Sequence, residues 1–215
     1  ESGFGVNFLR SMAVVFCWLG IPVDGGRVYA LSADLLLLCA DTKSGKTIWK
    51  HDILKEFDGE PIKWENAASP LIDGNLVFAG GGGAGQSLLA FDKVTGKVAW
   101  KTGSETITHA TPVVATIHGV RQVIYFTKAG LVSLECTKGT QLWKQNYKFA
   151  VSTAASPVVS GDLVFCSAGY GVGGGAYRIM HKGGKWSTEE EWRIPGNAHV
   201  ANHWSTPVLK AGHLY

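Results

Sequence analysis

Two histidines four residues apart, His199 and His203, form the pair in this chain whose spacing most directly suggests chemistry. On a helix that interval puts two imidazoles on one face, where they can hold a zinc ion. The stretch around them, NAHVANHWSTP at 197–207, has no helical period and no flanking carboxylate. Its side chains suit a hydrogen-bonding cluster better, with Asn197, His199, Asn202, His203 and Trp204 as candidate ligand-facing members. Glu65 and Asn66 in WENAASP (64–70) and His109 in TITHATP (106–112) stand in stretches of the same kind, as does AVSTAASP (150–157).

Two glycine-rich stretches, AGGGGAGQ (79–86) and SAGYGVGGGAY (167–177), could turn backbone N–H groups toward an anion. Phosphate loops lead from a strand into a helix, whose N-terminus supplies the field. These stretches lead from strand to strand, so they read as loops of a β protein. Cys17, Cys39, Cys136 and Cys166 sit in apolar runs and make no C-x-x-C pair, which reads as buried thiols and gives no zinc or redox motif.

What must position these loops is a repeat. DTKSGKTIW (41–49), DKVTGKVAW (92–100) and ECTKGTQLW (135–143) each place a glycine four residues after an acid and a tryptophan four residues after that. The glycine supplies the positive φ that a tight hairpin needs, and the acid, helped by Ser44 or Thr95, accepts N–H groups of its own turn. A second phrase alternates with the first: SPLIDGNLVFAG from 69, TPVVATIHGVRQVIYFT from 111, SPVVSGDLVFCSAG from 156 and TPVLKAGHLY from 206, with the shorter IPVDGGRVYALS from 21. Each reads as strand, turn, strand, with proline at the strand's first position, where no ladder N–H is lost. Pro70, Pro112, Pro157 and Pro207 are 42, 45 and 50 residues apart. Four strands repeating at that interval mark an all-β fold, a β-propeller of four-stranded antiparallel blades.

The paired phrases D-x-x-T-G-K-x-x-W and S/T-P-x-x-x-G-x-x-V resemble the pyrroloquinoline-quinone-like (PQQ-like) propeller repeat. That family includes quinoprotein alcohol dehydrogenases and the outer-membrane assembly lipoprotein propeller of Gram-negative bacteria. The resemblance covers about 22–215 and implies that Trp49, Trp100 and Trp143 dock each blade on the next. In the fourth blade the third hairpin is longer and lacks the Asp; Trp192 stands for the docking place, with Trp186 as competitor. The resemblance also implies seven or eight blades. The chain then corresponds to an incomplete propeller: an atypical segment 1–20, blades at about 21–64, 65–105, 106–150 and 151–196, and the start of another at 197–215.

The family's enzymes use PQQ beside a Ca²⁺, a carboxylate base and a pair of adjacent cysteines. This chain has no Cys-Cys, and Glu65 is the one acid in the four loop stretches. The resulting expectation is a non-catalytic propeller that binds a protein partner or small ligand on its loop face, with no catalytic residue and no metal or cofactor of its own. The alternatives are a PQQ- and Ca-dependent alcohol or sugar dehydrogenase whose base lies in other blades, and a hydrolase or glycan-binding propeller using Trp64, Tyr170 and Trp204. A net charge of +3 with scattered basic residues argues against nucleic acid. The apolar run Met12–Ile21, ten residues, is too short to span a bilayer and reads as a buried strand. The resemblance implies a periplasmic or otherwise extracytoplasmic location.

Overall fold

The computed structural model describes residues 20–196, 200 and 202–215. Short apolar runs broken by Gly-containing turns give strands throughout: β1 Val23–Asp24, β2 Arg27–Leu31, β3 Leu36–Asp41 and β4 Thr47–Asp52 form one antiparallel sheet. β5 Leu71–Asp73, β6 Leu76–Gly80, β7 Leu88–Asp92 and β8 Val98–Thr102 form the next, and β9 Val113–Ile117, β10 Val120–Thr127, β11 Gly130–Glu135 and β12 Gln141–Asn146 the third. β13 Val158–Ser160, β14 Leu163–Ala168, β15 Gly173–Lys182 and β16 Lys185–Ile194 make a fourth, and β17 Leu209–Lys210 pairs with β18 His213–Leu214. Each four-stranded sheet keeps its strands in chain order, the arrangement of a propeller blade. The one departure from β structure among the described residues is a helical turn the sequence does not announce, α1 Ile53–Glu56, whose first turn is capped by the Asp52 carboxylate accepting Lys55 N–H.

One register feature recurs in all four blades. The repeat tryptophan on the outer strand lies opposite a small residue on the third strand: Trp49 opposite Cys39, Trp100 opposite Ala90, Trp143 opposite Ser133 and Trp192 opposite Ala176. The pairing slips by one residue immediately afterwards each time, a β-bulge that re-aims the indole. Small partners leave room for the ring: Trp49, Trp100 and Trp143 are buried, each stabilising its sheet by about 2 kcal/mol or more, while Trp192 is partly exposed. Cys39 is one of these small partners, which accounts for its burial. Trp192 holds this register position although β15 and β16 are ten residues each and turn through Gly183 and Gly184 at positive φ. Trp186, its competitor in the sequence, stacks instead on His181 at 4.1 Å near the hairpin tip.

The chain divides into two compact units, Glu1–Ser104 and Glu105–Tyr215. In the first, blade one meets blade two at the Lys93 carbonyl, which accepts both the Trp49 indole N–H (3.1 Å) and the Tyr29 hydroxyl (3.0 Å). Lys93 Nζ also pairs with Asp24 at 2.7 Å. His51 bridges the same joint, with Nε2 2.7 Å from the Gly96 carbonyl, Nδ1 2.6 Å from Glu56 and its ring stacked on Phe91. In the second unit, Ile124, Phe126, Leu131, Trp143, Tyr147, Val164, Cys166, Tyr177 and Ile179 form one buried core. Within it the Gln122 carbonyl oxygen accepts from both Trp143 Nε1 (2.7 Å) and Ser133 Oγ (2.6 Å). A buried amide fully engaged in this way fixes the indole's orientation.

Candidate functional site

The most regular acids of the chain close their own turns. Asp41 Oδ1 accepts Lys43 N, Ser44 N and Ser44 Oγ; Asp92 Oδ1 accepts Val94 N, Thr95 N and Thr95 Oγ1; Glu135 accepts Thr137 N, Thr137 Oγ1 and Lys138 N. The hydroxyl and amide bonds hold the Asp41 and Asp92 carboxyls below the usual range. Burial pushes Glu135 up, but its turn bonds outweigh that and the net shift is also downward. These groups are turn closures, as their spacing implied.

The loops leading into the first strand of each blade carry a second regularity. Four residues before the blade proline stand Asn66, Thr108, Thr153 and His203. In the first three, the side-chain oxygen accepts the N–H two residues on, from Ala68 (3.1 Å), Ala110 (3.2 Å) and Ala155 (3.3 Å). The same side chains donate to carbonyls of neighbouring segments: Asn66 to Ser32, Thr108 to Phe126, Thr153 to Ser167. In the second unit the loops are also laced to one another, His109 N–H donating to the Thr153 carbonyl (3.0 Å) and Ala154 N–H to the His203 carbonyl (2.8 Å). Sequence reading singled out Asn66 but missed Thr108 and Thr153, although their fixed distance from the proline was a usable signal.

Asn66 and His109 are buried in the loop scaffold, 1% and 4% exposed. His109 Nδ1 lies 2.7 Å from the Ser152 hydroxyl, a buried pair inside the scaffold. Glu65 is exposed at a positive φ of 64°, next to Trp64 at 67°, and its N–H donates to the Ile62 carbonyl. Asn202 donates to the Ser205 carbonyl. Asn197 and His199 lie outside the described residues.

His203 does not make the turn bond of Asn66 or Thr153. Its ring packs instead where Gly169 has no side chain, 4.7 Å from Tyr170 and 4.3 Å from Trp204, both edge-on. Its Nδ1 is buried without a hydrogen-bond partner, and burial pushes the ring below the ordinary histidine range. Tyr170 and Trp204 are 68% and 63% exposed on either side of it, Tyr170 at a φ of 58°. The second unit therefore presents two large aromatic faces on hydrogen-bonded loops.

The first glycine-rich loop is pinned. Gly81, Gly83 and Gly85 donate their N–H groups to Ser87 O, Phe57 O and Ser104 Oγ. A Cβ at Gly82 would come 2.0 Å from the Gln86 carbonyl oxygen, and one at Gly83 2.4 Å from that of Asp58. Close backbone approach is what these glycines serve.

The PQQ and Ca²⁺ of the related enzymes need clustered oxygen donors and a base. Among the described residues no group of three His, Cys, Asp or Glu could hold a metal ion. Glu65 is turned to solvent, and both ends of the Asn66 amide are engaged by backbone. The residues described within either unit do not fit that group.

Residues 18–211 match the family described as outer membrane protein assembly factor BamB. The chain belongs to this family. Among solved structures the BamB-family chain is similar to BamB from Moraxella catarrhalis, at 13% identity and a TM-score of 0.55, over 85% of this chain and 64% of that one. It is similar also to quinohemoprotein alcohol dehydrogenase from Comamonas testosteroni (15%, 0.56, 94% of this chain and 45% of that one) and to the computationally designed Ika8 protein (12%, 0.51, 84% and 49%). At these identities the likeness is one of fold: a β-propeller of PQQ-like repeats. The BamB-family chain spans less than two thirds of the length of each of the three. No curated protein matches it.

Proposed function

We propose that this chain is a binding propeller whose second unit engages a protein partner through the face carrying Tyr170, His203 and Trp204. One observation carries the reading. Asn66, Thr108 and Thr153 of the lead-in loops are bonded within the scaffold, while Trp204 on the last lead-in loop and Tyr170 on the neighbouring loop between β14 and β15 are left exposed. Exposed aromatics on a preorganised surface are the usual anchors of protein interfaces. The family description, an outer membrane protein assembly factor, supports a partner taking part in that assembly and an extracytoplasmic location. No helix among the described residues is long and apolar enough to cross a membrane.

The test is photo-crosslinking of the full-length chain in its own cell, with a benzophenone amino acid at position 170 or 204. A control probe at Lys182 sits on the hairpin tip, at the opposite end of β15. Capture of one defined protein at 170 and 204 but not at 182 is the expected result. Silence at both positions, together with dye-linked alcohol oxidation on addition of PQQ and Ca²⁺, would replace this reading with that of a quinoprotein dehydrogenase.

A further inference from the structure

Two arginines of the second unit share one hairpin and differ in their company. Arg178 is held by two carboxylates, Asp162 at 2.8 Å and Glu191 at 2.9 Å. Arg193, next to the last residue of β16, has none among the described residues. Its guanidinium lies 4.2 Å over the Tyr147 ring, donates to the Val172 carbonyl at 3.1 Å and reaches the Tyr177 hydroxyl at 3.4 Å. These partners are neutral. The side chain is half-buried, so it has given up part of its hydration without gaining a counterion.

The missing charge is not elsewhere in the unit. Glu105–Tyr215 contains six acids: Glu105, Glu135, Asp162, Glu189, Glu190 and Glu191. Glu105 pairs with Lys144, Glu135 closes its turn, and Asp162 and Glu191 hold Arg178. Glu189 and Glu190 stand on the outer strand opposite Arg178 and Tyr177, and Glu190 acts on the Tyr177 hydroxyl without pairing with Arg193. The segment after Arg193, 194–215, contains no acid. The nearby loop 147–153 adds Lys148, exposed, and Lys128 lies over Phe149.

The fork is also held in place. Tyr147 is 2% exposed and donates to the Gly173 carbonyl at 2.7 Å, and Phe149 and Phe126 pack on its ring. A Cβ at Gly175 would lie 3.3 Å from Arg193 Cδ, so the glycine-rich strand start lets the arginine chain lie flat. Among the described residues Nε has no acceptor, and it is not one of the buried unpartnered atoms, so this donor reaches solvent beside the bonded Nη groups.

We propose that Arg193 is a receptor for a carboxylate, bound edge-on by the guanidinium donors that remain open while Tyr147 supports its face. Guanidinium and carboxylate match in bidentate geometry, and a stacked, pinned fork loses little freedom on binding. The inference deepens the protein-binding reading and rests on it for the source: the carboxylate is that of a partner's acidic side chain or C-terminus.

The experiment follows the Arg193 Nε–H resonance of the full-length chain by NMR. The probes are N-acetyl-glutamate amide for a side chain and N-acetyl-glycylglycine for a C-terminus, with N-acetyl-glutamine amide and sodium chloride as controls. Saturable shifts at Arg193, Val172 and Gly173 with one or both carboxylates, and not with the controls, are expected. R193K should weaken them at least about fivefold through loss of the fork, and R193Q should remove them. Shifts matched by chloride, or no saturation at about 100 mM, would overturn the proposal, and the native-protein titration decides this even if R193Q fails to fold. If crosslinking at 170 and 204 captures a partner while Arg193 ignores carboxylates, this inference falls and the binding function stands.

Discussion

The indole of Trp49 fills the space into which a side chain on Gly96 would project. A Cβ there would lie 2.7 Å from Trp49 Cγ and Cδ2, and Gly96 also sits at a φ of 73°. Gly96 thus has two duties, closing the turn of its own blade and receiving the tryptophan of the blade before. Gly96→Ala should cost about 3 kcal/mol, adding ring overlap to left-handed strain. Gly74→Ala, at a φ of 56° with nothing within 4 Å, should cost about 1 kcal/mol. Urea unfolding of the two variants checks the difference, and equal losses would refute the docking role.

The repeat acids make the fold sensitive to acid. Asp92 is held low first by the Thr95 hydroxyl and then by backbone N–H groups. A carboxyl lower in the folded than the unfolded state lends stability above its unfolded value, near 4, and withdraws it as pH falls through the folded value. Asp92→Asn should lower the urea midpoint at pH 7 and flatten its decline between pH 5 and 3. A decline as steep as that of the native chain would show that this turn is not the cause.

Asn66→Ala should destabilise the first unit by about 2 kcal/mol, since a buried N–H and the carbonyls of Ser32 and Ala68 lose their partner. Thermal unfolding measures it. A neutral result would return Asn66 to the list of ligand-facing candidates.

His203 should mark the pH curve in the opposite part of the range. Its ring titrates lower in the fold because burial disfavours the charged form. Its contribution is therefore present above the unfolded value, near 6.5, and fades as pH falls through the folded one. His203→Thr should remove that portion of the pH dependence between pH 7.5 and 5, seen as a smaller difference in Tm. An unchanged slope would place the ring in solvent.

Fold and site were not equally legible in the sequence. Asp41–Gly45–Trp49 and its copies repeat because turn chemistry demands the acid and the glycine and a fixed register opposite a small residue demands the tryptophan, so type and spacing expose them directly. The lead-in loops hid more, because bracing there accepts any short side chain with an oxygen, and Asn66, Thr108 and Thr153 look unrelated until aligned on their prolines. Arg193 was invisible because what sets it apart is the absence of an acid across space. Trp192 could be told from Trp186 only by register: each stands on an outer strand, but one faces Ala176 at the bulge and the other His181 at the tip.

That bulge has a further consequence. Because the tryptophan's position is set from the loop end of the hairpin, strand length on the turn side is free to vary, from five residues in β8 to ten in β16, without disturbing it. The blade behaves as a module with one fixed end and one extensible end. A peptide tag or small reporter domain grafted between Gly183 and Gly184 should leave the blade's packing intact, giving a handle on this protein far along the strand from the aromatic face.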